Sequence, residues 1–304
     1  METSVGVADP APALIPHPIS LARPLRIAPS AWLAHVPFGM FIIDLVRPRT
    51  FVELGTHYGV SYCAICQAVK SLNLDTRCFA VDTWQGDAQT GYYGEEVLQD
   101  LRNHHDPLYG AFSQLIRSTF DEALPHFGDC TVDLLHIDGC HTYEAVRHDF
   151  ETWLSKMSRR GVVMLHDIAV QDGDFGVWRL WKEVKAEYPH FEFAHGHGLG
   201  ILAVGPGHPA SLDALLAASS EEQQIREYFL QLGSRLEQEA EILALKAREE
   251  KCRAQIAKLE KERDAIRGSA FWRMTRPLRS TLSRHPGLRG ILRRVGRALW
   301  HGFR

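Results

Sequence analysis

From about residue 49 the chain alternates short β-rich apolar runs with amphipathic helical runs. That rhythm predicts a mostly parallel sheet covered by helices on both faces. Strands are expected at 50–54, 77–82, 112–117, 131–137 and 161–166, and helices near 59–72, 95–104, 119–125, 142–156 and 175–187. Two further strands, Phe191 to His195 and Leu199 to Val204, are separated only by Gly196-His197-Gly198. Three residues are too few for a crossover helix, so these strands form a hairpin and the sheet ends on an antiparallel strand.

The pattern is different at both ends. Residues 1–30 carry six Pro and few large apolar side chains at any regular period, which reads as an extended leader. Ser30 then has the character of a helix N-cap. Residues 219–267 are polar, free of Pro and rich in helix formers, and predict one long helix. Its apolar residues at 225, 229, 232 and 236 follow a heptad seam. Those at 242, 245, 252, 256, 259 and 266 follow a second seam shifted by one residue, with Glu249 and Arg263 in two core slots. A short, imperfect coiled coil and a homodimer through this helix are expected. Gly268 and Pro277 break the helix, and Pro286-Gly287 starts another. In that last helix Leu288, Ile291, Leu292, Val295, Leu299, Trp300 and Phe303 share one face, with Arg289, Arg293, Arg294 and Arg297 largely off it. This is an interfacial amphipathic pattern. The chain therefore divides into a leader at 1–30, a domain at 31–210, a coiled-coil helix at 219–267 and a basic amphipathic tail at 268–304.

Composition adds little to the body and much to the tail. With 45% hydrophobic and 23% charged residues the chain is ordinary globular protein, not collagen-like or mainly disordered. Six Cys without a paired framework suggest reduced thiols in the cytoplasm, and Cys63 and Cys66, inside a helix, read as core packing. The apolar stretch Ala31 to Ile43 contains Pro37 and stops at Asp44, short of the roughly 20 residues a spanning helix needs. The net charge of -3 hides an asymmetry: residues 268–304 hold nine Arg and no Asp or Glu, leaving 25 basic and 37 acidic residues, a net of -12, before them. The tail is thus expected to meet an anionic surface. Trp300 and Phe303 on its aliphatic face favour lipid over nucleic acid, giving a cytoplasmic protein peripheral at the inner face of the membrane.

Candidate chemistry lies at strand ends. The run Phe51-Val-Glu-Leu-Gly-Thr-His-Tyr-Gly-Val-Ser61 is a strand, a turn with Gly55 and Gly59, and a helix start, the placement of a nucleotide-binding crevice. A dinucleotide fold would want Gly at position 57, where this chain has His57. Glu53 suits a cationic amino group, directly or through water, better than a phosphate. S-adenosylmethionine offers an amino group, a sulfonium and no phosphate. Asp82, ending the second strand, stands at the spacing from which a carboxylate accepts ribose hydroxyls. Ser118 and Thr119 either bind the adenine edge or cap a helix, or both. The segment from Trp84 to Gly94, with three Gly and three aromatics, suits either a mobile lid that stacks on a sugar or on adenine, or a plain long loop. Asp138 and His141 follow the fourth strand, and His166 and Asp167 end the fifth. In a parallel sheet all four converge above the cofactor, where they hold a divalent metal or supply a general base directly. Two Asp suit Mg or Mn, whereas the His residues also admit Zn or Fe. His104-His105-Asp106 reads as a solvated helix end, and His195 and His197 as candidates to line the substrate.

Five segments carry a specific resemblance: 52–61, Val81-Asp-Thr-Trp84, His136-Ile-Asp-Gly-Cys-His141 with Tyr143, Gly161-Val-Val-Met-Leu-His-Asp167, and His195-Gly-His-Gly-Leu-Gly200. Residues 30–205 resemble class I S-adenosylmethionine-dependent methyltransferases, in the branch found with bacterial surface-polysaccharide glycosyltransferases and related to macrocin O-methyltransferases and cephalosporin-hydroxylase-like proteins. The resemblance implies an α/β, doubly wound, Rossmann-like seven-stranded sheet of order 3-2-1-4-5-7-6. It implies a methyl transfer to a hydroxyl, on a sugar of a surface glycan or a nucleotide-sugar precursor. The cofactor would be held by Glu53, Gly55, Thr56, Tyr58, Gly59, Ser61, Asp82, Trp84, Ser118 and Asp138. Asp138, His141 and His166 would be catalytic, and Asp138 with Asp167 would bind metal, although His166 stands where macrocin-like relatives have a first Asp. The segment Ser269 to Arg279 is similar to terminal segments of polysaccharide glycosyltransferases. The competing readings are an NAD-dependent oxidoreductase on a similar sheet, disfavoured by His57 and the final hairpin, and a non-catalytic membrane-tethered scaffold.

Overall fold

Seven strands build one sheet around β1 (Thr50–Leu54). The others are β2 (Arg77–Asp82), β5 (Ser113–Arg117), β6 (Val132–Ile137), β7 (Met157–His166), β8 (His190–Phe193) and β9 (Leu199–Ala203), and two short strands, β3 (Gly86–Asp87) and β4 (Gly91–Tyr92), pair only with each other. The computed structural model describes residues 17–87, 91–217 and 222–284. Most of the leader and the amphipathic helix expected from 286 lie outside the described residues. The sheet order is β5-β2-β1-β6-β7-β9-β8. With the β3-β4 hairpin left out of the count this is 3-2-1-4-5-7-6, and β9 runs antiparallel to both β7 and β8. The segment expected to be a lid or a plain loop thus contributes a small hairpin of its own.

Helices cover both faces: α1 (Val36–Val46), α2 (Val60–Ser71), α3 (Glu95–Tyr109), α4 (Phe120–Ala123), α5 (Tyr143–Leu154), α6 (Val177–Val184), α7 (Ala210–Leu216) and the long α8 (Glu222–Gly268). Alternation along the central strands feeds two cores. Phe51, Val162 and Met164 pack with α1, α2, α3 and α7, while Val52, Leu54, Val163 and Leu165 pack with α5 and α6. Helix α1 is apolar nearly all round and buried except at Asp44, which explains an apolar run too short for a membrane. Among the described residues no helix is long and apolar enough to cross one.

Three expectations are corrected. From His17 on, the leader is not extended: Pro18–Leu21 forms a 3-10 turn that buries Ile19 and Ser20, and the Arg26 guanidinium donates to the Tyr58 carbonyl and pairs with Asp100. Helix α3 continues past 104 to Tyr109, turning His105 inward, where its ring hydrogen-bonds the Ser113 hydroxyl at 2.7 Å, so His105 is buried and not solvated. The first seam of α8 is not a self-association surface. Ile225 and Phe229 are buried, Leu232 and Leu236 pack on the same core, and a Cβ at Gly233 would overlap the Ala34 carbonyl. Contacts group residues 1–240 as one unit and 241–304 as a second.

Asp149 is a buried carboxyl on α5. Burial pushes its carboxyl up to about 7, with His148 opposing and Asp121 reinforcing. The folded state then binds a proton more tightly than the unfolded chain, so stability falls as pH rises from about 4 through about 7. Asp149→Asn should lose this dependence: its unfolding midpoint in urea should exceed that of the unsubstituted protein by a margin larger at pH 8 than at pH 5.

Candidate active site

The site forms where β1, β2, β6 and β7 end at one sheet edge. Gly55 has φ +85°, and a Cβ there would overlap the Asp138 carbonyl, so only glycine lets the loop after β1 lie against the end of β6. Asp82 fixes the same loop. Its Oδ2 accepts from the amides of Thr56 at 2.8 Å and His57 at 2.9 Å, and its Oδ1 accepts from the Trp84 amide at 2.7 Å. Helix α2 starts directly behind, with its amino end at the cavity and no acidic residue in its first turn. A negatively charged group would be stabilised there.

The resulting cavity has a volume of about 540 Å³, within the range of small-molecule sites. Its wall includes Gly55, Thr56, Tyr58, Gly59, Ser61, Asp82, Asp138, His141, His166 and Asp167, so most of the residues expected at the site are brought together. The Thr56 hydroxyl is buried on this wall with no hydrogen-bond partner. Three expected cofactor residues are not on the wall. Trp84 is buried behind the loop, where its Nε1–H donates to the His57 carbonyl. Ser118 donates instead to the Thr119 carbonyl, and Thr119 caps α4, while Thr119 and Phe120 reach the cavity in its place.

Glu53 is the third, and it is wholly buried. The Trp32 indole N–H can only donate, and it meets His136 Nε2 at 3.1 Å. His136 must therefore carry its proton on Nδ1, which donates to Glu53 Oε2 at 2.8 Å. Burial still raises the Glu53 carboxyl, with His136 opposing. Glu53 thus anchors Trp32, which does line the cavity, through His136.

Beside Trp32 and the Gly55 loop, two carboxylates and two imidazoles form one charged cluster. His141 Nε2 lies 2.9 Å from Asp167 Oδ2, and His166 Nδ1 lies 3.3 Å from Asp138 Oδ1 and 3.2 Å from Asp167 Oδ2. His166 Nε2 meets the Gly196 carbonyl at 3.1 Å, an oxygen that can only accept. Both His166 nitrogens therefore carry protons. Burial works against this, but the charge and hydrogen bonds of Asp138 and Asp167 raise His166 to about 10. His166 thus has no lone pair to take a proton, which corrects the expectation that it could be a general base. Burial likewise opposes the proton on His141, and the same carboxylates raise it to about 10. Asp138 is held well below the carboxylate range against its burial by His166 and His141, and Asp167 is lowered in the same way. Asp167 sits at φ +62°, a backbone conformation that Asp tolerates and that aims its carboxylate at His141 and His197. Asp138, His141 and Asp167 each offer one ligand atom within 4.8 Å of the others, a mixed oxygen and nitrogen set able to hold a divalent cation.

Phe175 was not legible in the sequence, whereas Tyr93 belongs to the Trp84–Gly94 segment whose aromatics were read as suited to stack on a ligand. Phe175 stacks on His141, ring centres 4.8 Å apart, because Thr142 bridges to it and the Gly176 amide donates to the His141 carbonyl. Tyr93, from the β4 side, stacks on His57 at 4.7 Å. Both lie on irregular segments where no periodicity marks an inward face. His197 does reach the wall, as considered for it.

Residues 52–168 match the family model described as a methyltransferase domain. The chain is 46% identical over 219 residues to an uncharacterized protein, y4gI, of Sinorhizobium fredii, covering 71% of this chain and 24% of that protein. It thus spans about a quarter of the length of the curated relative it matches. Solved structures with a similar chain course include the O-methyltransferase TomG of Streptomyces achromogenes in complex with SAM, at 15% identity and TM-score 0.43, covering 60% of this chain and 92% of that one. Cofactor-bound Rv0187 from MTB is similar at 16% identity and TM-score 0.45, covering 62% and 86%.

The buried Trp32–His136–Glu53 series gives a stability test. His136→Ala would strand a carboxylate and an indole N–H and should cost about 3–5 kcal/mol. Glu53→Gln keeps an acceptor for His136 Nδ1–H and should cost less. Urea denaturation of both variants at neutral pH measures the difference.

Proposed function

We propose that residues 31–210 form an S-adenosylmethionine-dependent methyltransferase that methylates a hydroxyl, with a sugar of a bacterial surface glycan or its nucleotide-sugar precursor as acceptor. The observation that carries this reading is the loop from Gly55 to Ser61, clamped by Asp82 beside the Asp138 carbonyl, within the segment that matches a methyltransferase domain. The residues present suit the cofactor. The unpartnered Thr56 hydroxyl offers a donor and acceptor on the wall, the amino end of α2 suits the cofactor's carboxylate, and His57 leaves no close approach for a diphosphate.

In the reaction the acceptor oxygen displaces the sulfur at the methyl carbon. An O–C bond forms, the C–S bond breaks with its electrons going to sulfur, and the hydroxyl proton is released. Carbon already activated by a sulfonium needs mainly a positioned nucleophile. Asp138, ionised and facing the cavity, accepts the hydrogen bond of the acceptor hydroxyl and orients it. His166, pinned between Gly196 and the two carboxylates, fixes Asp138 and Asp167. His141, protonated between Asp138 and Asp167, holds the two carboxylates together, so it is no more a general base at rest than His166, and the hydroxyl proton leaves by way of Asp138 to solvent. A divalent cation held by Asp138, His141 and Asp167 would lower the pKa of the bound hydroxyl and displace the His141 proton. Phe175, Phe120 and Tyr93 give the cavity the aromatic faces on which sugar rings pack.

Calorimetric titration of S-adenosylmethionine and S-adenosylhomocysteine into the full chain tests the reading. Micromolar binding is expected, weakened at least about tenfold in Asp82→Ala, which leaves the Thr56 and His57 amides without their acceptor. Binding of NADH in place of both, by a folded protein, would overturn it. With radiolabelled cofactor, Asp138→Asn should abolish transfer to nucleotide sugars while leaving cofactor binding within about threefold, since Asn keeps the shape but not the charge.

A further inference from the structure

Helix α8 presents two apolar stripes of different fate. The first, at 225, 229, 232 and 236, is covered by the core of residues 1–240. The second begins at Ile242, is rotated by the one-residue shift in phase, and all residues from 241 to 268 are exposed. Ile242, Leu245, Ile256, Leu259 and Ile266 are each more than half exposed on that stripe. A helix of this length, with so much apolar surface in water, gains its stability from a partner.

The charged residues within the stripe select the partner. The seam positions are 242, 245, 249, 252, 256, 259, 263 and 266, a strict heptad alternation, with Glu249 and Arg263 at equivalent positions two heptads apart. A parallel in-register pair would set Glu249 against Glu249 and Arg263 against Arg263, at the core of the interface. An antiparallel pair centred between Cys252 and Ile256 matches every seam position. Ile242 meets Ile266 of the second copy, Leu245 meets Arg263, Glu249 meets Leu259, and Cys252 meets Ile256. In that register Glu249 lies one turn from the second copy's Arg263, on the same side of the seam and with opposite charge. Within one chain these groups have weak exposed partners, Arg253 for Glu249 and both Asp264 and Glu260 for Arg263.

We infer that residues 242–266 pair with the same segment of a second copy of this chain as an antiparallel coiled coil. The helix would then join two copies without using the surface that binds α8 to residues 1–240.

Sedimentation equilibrium of the full chain across a concentration series should give a dimer, and Ile256→Asp should give a monomer with the near-ultraviolet circular dichroism of its buried Trp residues unchanged. Glu249→Arg and Arg263→Glu should each weaken the dimer by about tenfold, and the double exchange should restore it, because opposite charges again face each other. In a parallel dimer the exchange restores nothing. Under mild oxidation Ile256→Cys should cross-link to Cys252 of the second copy, as identified by peptide mass spectrometry. A monomer at all concentrations, or a Cys252-to-Cys252 disulfide as the main product of the unsubstituted chain, would overturn the inference.

Discussion

The contact on which the site depends is the approach of Gly55 to the Asp138 carbonyl. It allows the loop after β1 and the end of β6 to touch without an intervening side chain. The Asp138 amide in turn donates to the Leu54 carbonyl, and the Gly55 amide to Val81, so β2, β1 and β6 remain stitched together up to their last residues. The loop and the Asp138 carboxylate are thereby fixed to the same rigid edge. A side chain at 55 would have to move the groups that the chemistry needs held still.

Around that contact the charge distribution is divided into two buried arrangements that behave differently. Trp32, His136 and Glu53 form a hydrogen-bonded series in which donor and acceptor roles follow from the indole N–H. It is structural, and it ties the segment before α1 to the centre of the sheet. Asp138, Asp167, His141 and His166 form the second, in which two protonated rings balance two carboxylates. Its protons sit where a cation would sit. A cation held by Asp138, His141 and Asp167 would have to displace protons from this cluster.

Helix α8 shows a comparable division of labour within one element. Its first turns complete the core of residues 1–240 through Phe229 and Ile225, and its later turns carry a stripe facing solvent. The change of phase between 236 and 242 separates a stripe covered within residues 1–240 from one that faces solvent.

The sequence by itself determined the strands and the antiparallel end of the sheet, while the order of the strands followed from the resemblance to class I methyltransferases. Strand periodicity and the three-residue link at 196–198 are local signals that packing only had to obey. It also determined that Gly55, Asp82, Asp138, His141, His166 and Asp167 would meet, because parallel strands all end on one edge. Tertiary structure decided what each of them does. Asp82 spends its oxygens on backbone amides, Glu53 and Trp84 turn away from the cavity, and His166 is protonated on both nitrogens because Gly196, some 30 residues away, supplies the carbonyl. Phe175 and Tyr93 entered the wall from irregular segments, and His105 turned inward when α3 ran one turn further than its pattern suggested. Partners of this kind are set by distance in space, and a one-dimensional pattern of apolar and polar residues records only which face a side chain takes, not what it finds there.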